Sequence, residues 1–116
     1  MLGNIEVIGG FKFEGLHRWP EAFESVSYLR ERHRHTFTVR IGWKVTHEDR
    51  DIEFLHASDM VKKEYLGPLL NQSDVALLGT RSCETIAREI AVLAASHGYV
   101  TFVEVFEDNN MGARLT

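Results

Sequence analysis

Alternation of apolar and polar side chains is the strongest pattern in the chain. In "HRHTFTVRIGWKV" the odd positions carry Phe37, Val39, Ile41, Trp43 and Val45, while the even ones carry Thr36, Thr38, Arg40, Gly42 and Lys44. Side chains two apart on a strand share a face, so this period predicts a strand with one buried and one wet side. Extended back in the same register, the buried side takes in His33 and His35. "IEVIGGFKFEGLH" places Ile5, Val7, Phe11 and Phe13 on one parity and predicts a first strand, bulged or bent at Gly9-Gly10. That parity runs on through Gly15 to His17, a third histidine at a core-facing strand end.

Two segments change to a helical pattern. "ASDMVKKEYLGPLL" offers Ser58 as cap, Asp59 in the first turn, Met60, Val61 and Tyr65 on one face, and Gly67-Pro68 as a stop. "SCETIAREIAVLAASHG" offers Ser82 as cap, an apolar stripe of Ile86, Ile90, Leu93 and Ala94, and Gly98 past its end. "RWPEAFESVS" and "NQSDVALLGTR" read as loops, "HEDRD" as a polar turn and "DIEFLH" as the start of a short extended piece. "YVTFVEVFEDNNMGARLT" predicts a strand, a turn at 108–110 and a short last strand. The order β-β-α-α-β-β predicts an α+β domain, an antiparallel four-stranded sheet with two helices on one face.

Composition narrows the classes. A chain of 116 residues, 44% hydrophobic and 26% charged, fits one folded domain over 1–116 with a single core. The net charge of −4 argues against a phosphate-backbone binder, so no nucleic-acid partner is expected. No apolar run is long enough for a bilayer, and "MLGNIEVIGGFKF" has no basic stretch leading into one. No membrane partner and a cytoplasmic location are therefore expected. Cys83 is the only cysteine, which rules out an intrachain disulfide and a Cys-rich zinc site. A metal would have to be held by histidine and carboxylate.

The inward histidines allow two explanations. Each could make a hydrogen bond at a partly polar core edge. Alternatively they share a metal: same-face strand residues sit about 6 to 7 Å apart, and imidazoles can converge from there to bonds of about 2.0 to 2.1 Å, with His17 as the third ligand. Glu107 shares parity with Val103 and Val105, where an ionised side chain needs a partner unless it reaches the surface. Glu84 falls in the first turn of the second helix, which the macrodipole alone would favour.

A histidine after the first strand ("FKFEGLHRW"), an H-x-H opening the second ("HRHTF"), a glutamate starting the second helix ("RSCETIA") and another ending the last long strand ("VEVFED") occur in this order. Together they resemble the 6-pyruvoyl-tetrahydropterin synthase and 6-carboxytetrahydropterin synthase family over almost the full length. The resemblance implies that His17, His33 and His35 bind Zn2+, and that Glu107 and Glu84 bind a pterin substrate. It further implies a tunnelling-type fold in which several subunits join their sheets into a barrel, as a homo-oligomer of trimer or hexamer size. The implied activity is a zinc-dependent lyase acting on 7,8-dihydroneopterin triphosphate or a related pterin. The family's catalytic cysteine, four residues before the H-x-H, is replaced here by Leu29, and the Asp-His pair before the second helix has no histidine in "LLNQSDVALLGT". Glu31 and Asp74 are the candidates left for acid–base work. The alternatives are a non-catalytic zinc- and pterin-binding homologue, or a side-chain-cleaving variant giving a 6-hydroxymethyl product. Arg18, Arg30, Arg32 and Lys12 are candidates for a triphosphate clamp.

Overall fold

The structure, a computed structural model, describes residues 2–116. Strand β1 (Ile5–His17) pairs antiparallel with β2 (His33–Val45) along its whole length, Ile5 opposite Val45 and His17 opposite His33. Helix α1 (Phe54–Leu66) follows, then a short strand β3 (Ala76–Gly79) that lies parallel to the end of β1. Helix α2 (Cys83–Ala94) leads into β4 (Tyr99–Glu107), which pairs antiparallel with β2 and, through the turn at 108–110, with β5 (Met111–Leu115). The sheet order is β3-β1-β2-β4-β5. Short 3-10 segments occupy Glu24–Arg30 and Ala95–His97.

Both α-helices pack on the face defined by the odd positions of β2. Phe37, Ile41 and Trp43 are fully buried there with Val103 and Val105 of β4, Val61 of α1, and Ile86 and Ile90 of α2. The Trp43 indole N–H donates to the carbonyl of Ala94 at 3.0 Å, which ties the centre of the sheet to the end of α2. The opposite face carries Lys12, Arg40 and Glu104, the last two paired across β2 and β4 at 3.6 Å.

The antiparallel four-stranded sheet with two helices, closing with others into a barrel, is corrected to a five-stranded mixed sheet that stays open, with β3 and β5 at its edges. The added strand comes from "NQSDVALLGTR". Only Ala76 and Leu78 are buried in it, and two alternations over four residues are too few to separate a strand from a loop. Its partner is the end of β1, from Gly15 to His17, a tertiary contact that no local period records.

Two smaller expectations also change. Helix α1 starts at Phe54, because Glu53 caps it by accepting the amides of Leu55 and His56; Ser58 is buried mid-helix and accepts the amide of Gly10 at 2.9 Å. β1 and β2 keep one register across Gly9-Gly10, so there is no bulge. The glycine is needed for close approach instead, since a Cβ on Gly9 would lie 2.2 Å from the Ser58 hydroxyl oxygen. Among the described residues no helix is long and apolar enough to cross a membrane.

Candidate metal centre

The register of β1 and β2 assembles the histidine cluster. His17 ends β1 directly opposite His33, which begins β2, and His35 lies opposite Gly15. Gly15 leaves room beneath the cluster, where a Cβ would come within 2.6 Å of the Leu78 side chain and 3.0 Å of the Phe37 ring. The three imidazoles face one another edge-on, with centroids 4.5 Å apart for His17 and His33, 5.4 Å for His17 and His35, and 5.0 Å for His33 and His35. One ring nitrogen from each lies within 4.8 Å of the other two.

Each ring is oriented from behind through its Nδ1. His17 Nδ1 is 2.8 Å from the carbonyl oxygen of Arg81, His33 Nδ1 is 3.0 Å from that of Glu31, and His35 Nδ1 is 2.6 Å from Asp108 Oδ2. Carbonyl and carboxylate oxygens only accept, so Nδ1 carries a proton in each ring, and Nε2 of His17 and of His35 faces the cluster. Outer partners on Nδ1 that fix ring and tautomer are the usual support of metal-binding histidines. Asp108 is held in turn by the Thr36 amide at 2.9 Å. These two contacts, His35 first, keep its carboxyl below the ordinary aspartate range. Burial pulls the His17 pKa down, against an opposing pull from the Arg81 carbonyl and Glu107, and so favours the neutral, ligating form.

Glu107 completes the group. It ends β4 opposite Phe37 and turns its carboxylate into the cluster, Oε1 lying 3.2 Å from His17 Nε2 and Oε2 3.3 Å from His35 Nε2. At those distances both Nε2 atoms are buried yet lack a hydrogen-bond partner among the described residues, so the contacts are close without being hydrogen bonds. A carboxylate oxygen against each Nε2 is satisfied by a proton on the ring, as in a His–Glu ion pair, or by a cation shared between them. A His-rich set with one oxygen donor suits Zn2+. The thiol of Cys83 points at Glu107 Oε1 from 3.6 Å. Burial, then the Glu107 charge, pushes its pKa up to about 12, so it sits there as a protonated donor.

The cluster opens on a cavity of about 520 Å³ lined by His17, His33, Glu107 and Glu84, with Trp19 and Leu29 on its walls. The four residues that sequence motifs single out from three strands and a helix thus share one space, joined by His35 from behind. Glu31 and Asp74 are placed elsewhere. The Glu31 backbone carbonyl holds His33, but its side chain lines a separate cavity of about 420 Å³ with Arg18 and Arg32. Asp74 is exposed in the loop before β3 in a left-handed conformation, φ 59°. Of the clamp candidates, Arg30 is tied to Glu24 at 3.0 Å, and Lys12 lies on the opposite face of the sheet.

Asp108, Cys83, Trp19 and the Arg81 carbonyl belong to the site without having been singled out. Asp108 could have been found, since it directly follows Glu107 at a strand end; the other three are joined to the cluster only by tertiary packing.

No protein-family model matches the chain, and no curated protein matches it. Among solved structures, the uncharacterized protein WS1659 from Wolinella succinogenes is similar, with a TM-score of 0.71 at 14% identity over 98% of each chain. That likeness is one of fold along the full length.

Proposed function

We propose that the chain is a zinc-dependent lyase acting on 7,8-dihydroneopterin triphosphate or a closely related pterin. The observation that carries this reading is the set of three histidines whose Nδ1 atoms are all occupied and which gather one ring nitrogen each within 4.8 Å of one another beside a cavity. His17, His33 and His35 would hold the ion, which supplies Lewis acidity toward the oxygens of the substrate side chain. The chain's own residues do the rest. Glu84, at the start of α2, is free to accept the paired N–H donors of the ring edge, and the half-exposed Trp19 offers a flat apolar wall for the ring. Arg18 and Arg81 line both cavities, so an anionic substrate tail could run from one to the other past two guanidinium groups. A cytoplasmic location accords with this role and with the lone, unpaired cysteine.

Leu29 favours a second reading. It lies in the cavity wall at the position matching the family's catalytic cysteine, and it cannot move a proton. A homologue that binds zinc and pterin without converting it would have this construction. Mass spectrometry of products after incubating zinc-loaded protein with 7,8-dihydroneopterin triphosphate separates the two. A 6-pyruvoyl, 6-carboxy or 6-hydroxymethyl product that disappears in His33→Ala supports the lyase. Unchanged substrate in the presence of bound zinc overturns it in favour of the binding role.

A further inference from the structure

We infer that Glu89 is a positioning residue for His17: by gathering the Tyr65 hydroxyl and the Arg81 guanidinium on one carboxylate oxygen, it fixes the backbone carbonyl that sets how His17 faces the cluster. The inference rests on the zinc reading of the histidine cluster and adds to it two residues, Glu89 and Tyr65, that border neither the cluster nor its cavity.

The link begins at His17. Its Nδ1 lies 2.8 Å from the Arg81 carbonyl, which only accepts, and the hydrogen bond at one ring nitrogen decides which nitrogen carries the proton. Arg81 lies in the short connection between β3 and α2, outside both elements, so its carbonyl has no ladder to hold it. The side chain holds it instead. It folds back so that Nη1 donates to the Leu78 carbonyl at 3.1 Å, the same oxygen that accepts the Arg81 amide at 3.1 Å. Nε donates to Glu89 Oε1 at 2.9 Å, and the Tyr65 hydroxyl donates to that same oxygen at 2.8 Å. Tyr65 is in turn fixed by packing, buried on α1 with its ring edge-on to Phe13. Glu89, on α2, therefore pins the connection to both helices. The Arg18 amide donates to the Gly79 carbonyl at 3.0 Å, so the end of β1 meets this connection by its backbone as well as through the His17 ring.

Energetics favour positioning over stability as the role of this link. The Arg81 and Glu89 side chains are 33% and 38% exposed, and an ion pair that open to water adds little to stability. Its consequence is directional. Without Glu89 the guanidinium swings free, the connection loosens, and the Arg81 carbonyl no longer selects one His17 tautomer.

Ring-nitrogen NMR of 15N-labelled histidines in the metal-free protein, at mildly alkaline pH, reads the tautomer directly. Wild-type protein should show His17 as the Nδ1–H form alone. Glu89→Ala should add the Nε2–H form, and its zinc affinity by chelator competition should fall about tenfold, the lower end of what losing an outer partner costs. Arg81→Met, which keeps the carbonyl and removes the guanidinium, should do the same and covers a failure of Glu89→Ala to fold. Glu89→Gln keeps an oxygen acceptor and should resemble the wild type. Ile41→Val, which thins the core opposite Gly9, far along β1 from His17, should lower stability and leave the tautomer unchanged. A folded Glu89→Ala or Arg81→Met protein with the wild-type tautomer overturns the inference, as does an equal change in Ile41→Val. Wild-type protein that shows the single tautomer but binds no zinc overturns the zinc reading, and the tautomer comparison still decides the role of Glu89.

Discussion

At the level of single residues, the cluster is defined by what stands behind each ring. Asp108 is the outer partner of His35, so Asp108→Asn should weaken zinc binding by roughly 10- to 100-fold while the circular dichroism of the fold stays unchanged. Chelator competition measures it, and an unaltered affinity would show that His35 needs no such support. Cys83 gives an independent check on the burial of the site. With its pKa near 12, the thiol should resist alkylation by iodoacetamide at pH 8 in the folded protein and react readily in denaturant; equal rates would place it outside the cluster. Much of this site is legible in the sequence, because the positions of His17, His33, His35 and Glu107 follow from strand parity alone. The direction in which Glu107 points is not. It depends on β4 lying beside β2 with Glu107 opposite Phe37, and no local pattern contains that register. Cys83 likewise meets Glu107 only because the start of α2 packs beside the end of β4.

At the level of elements, end chemistry decides the boundaries. Ser82 caps α2 by accepting the Thr85 amide at 3.1 Å, and Ser82→Ala should cost about 1 kcal/mol in chemical denaturation. Since α2 carries Cys83 and Glu84 in its first turn, the same substitution should also loosen the cavity wall. Glu53 caps α1 with two amide contacts that hold its carboxyl below the ordinary glutamate value of 4.5. A lowered native pKa means a contribution to stability that is present above pH 4.5 and lost as the pH falls through the native value. Acid denaturation of Glu53→Gln should therefore lack that portion of the pH dependence, and identical acid curves for the two proteins would argue against the cap. The α2 cap is plain in the sequence, because serine before an apolar-periodic run is a common helix start. The α1 cap is hidden, because a glutamate two residues ahead of the first-turn amides is an uncommon solution and Ser58 offers a more familiar one.

At the level of the whole molecule, the site lies where β1, β2 and β4 come together at one end of the sheet, and bound metal would tie the end of β1 to the start of β2. Removing zinc with a chelator should lower the melting temperature, by an amount that grows with the zinc concentration used for loading. The core beneath is set by Trp43, whose replacement by alanine should cost about 3 to 5 kcal/mol and leave the Ala94 carbonyl without its donor. β3 and β5 are open sheet edges, which are natural places for a second copy to pair. Such pairing would bring further side chains to a cavity that lacks a proton-transfer group at Leu29. The central claim is that three histidines at one end of the sheet form a zinc site. Its most direct test is the zinc content of the metal-loaded, gel-filtered protein and of His33→Ala, by elemental mass spectrometry. One zinc per chain in the wild type and almost none in the variant is the expected result. A wild-type protein that emerges without stoichiometric metal, or a variant that retains it, would contradict the account.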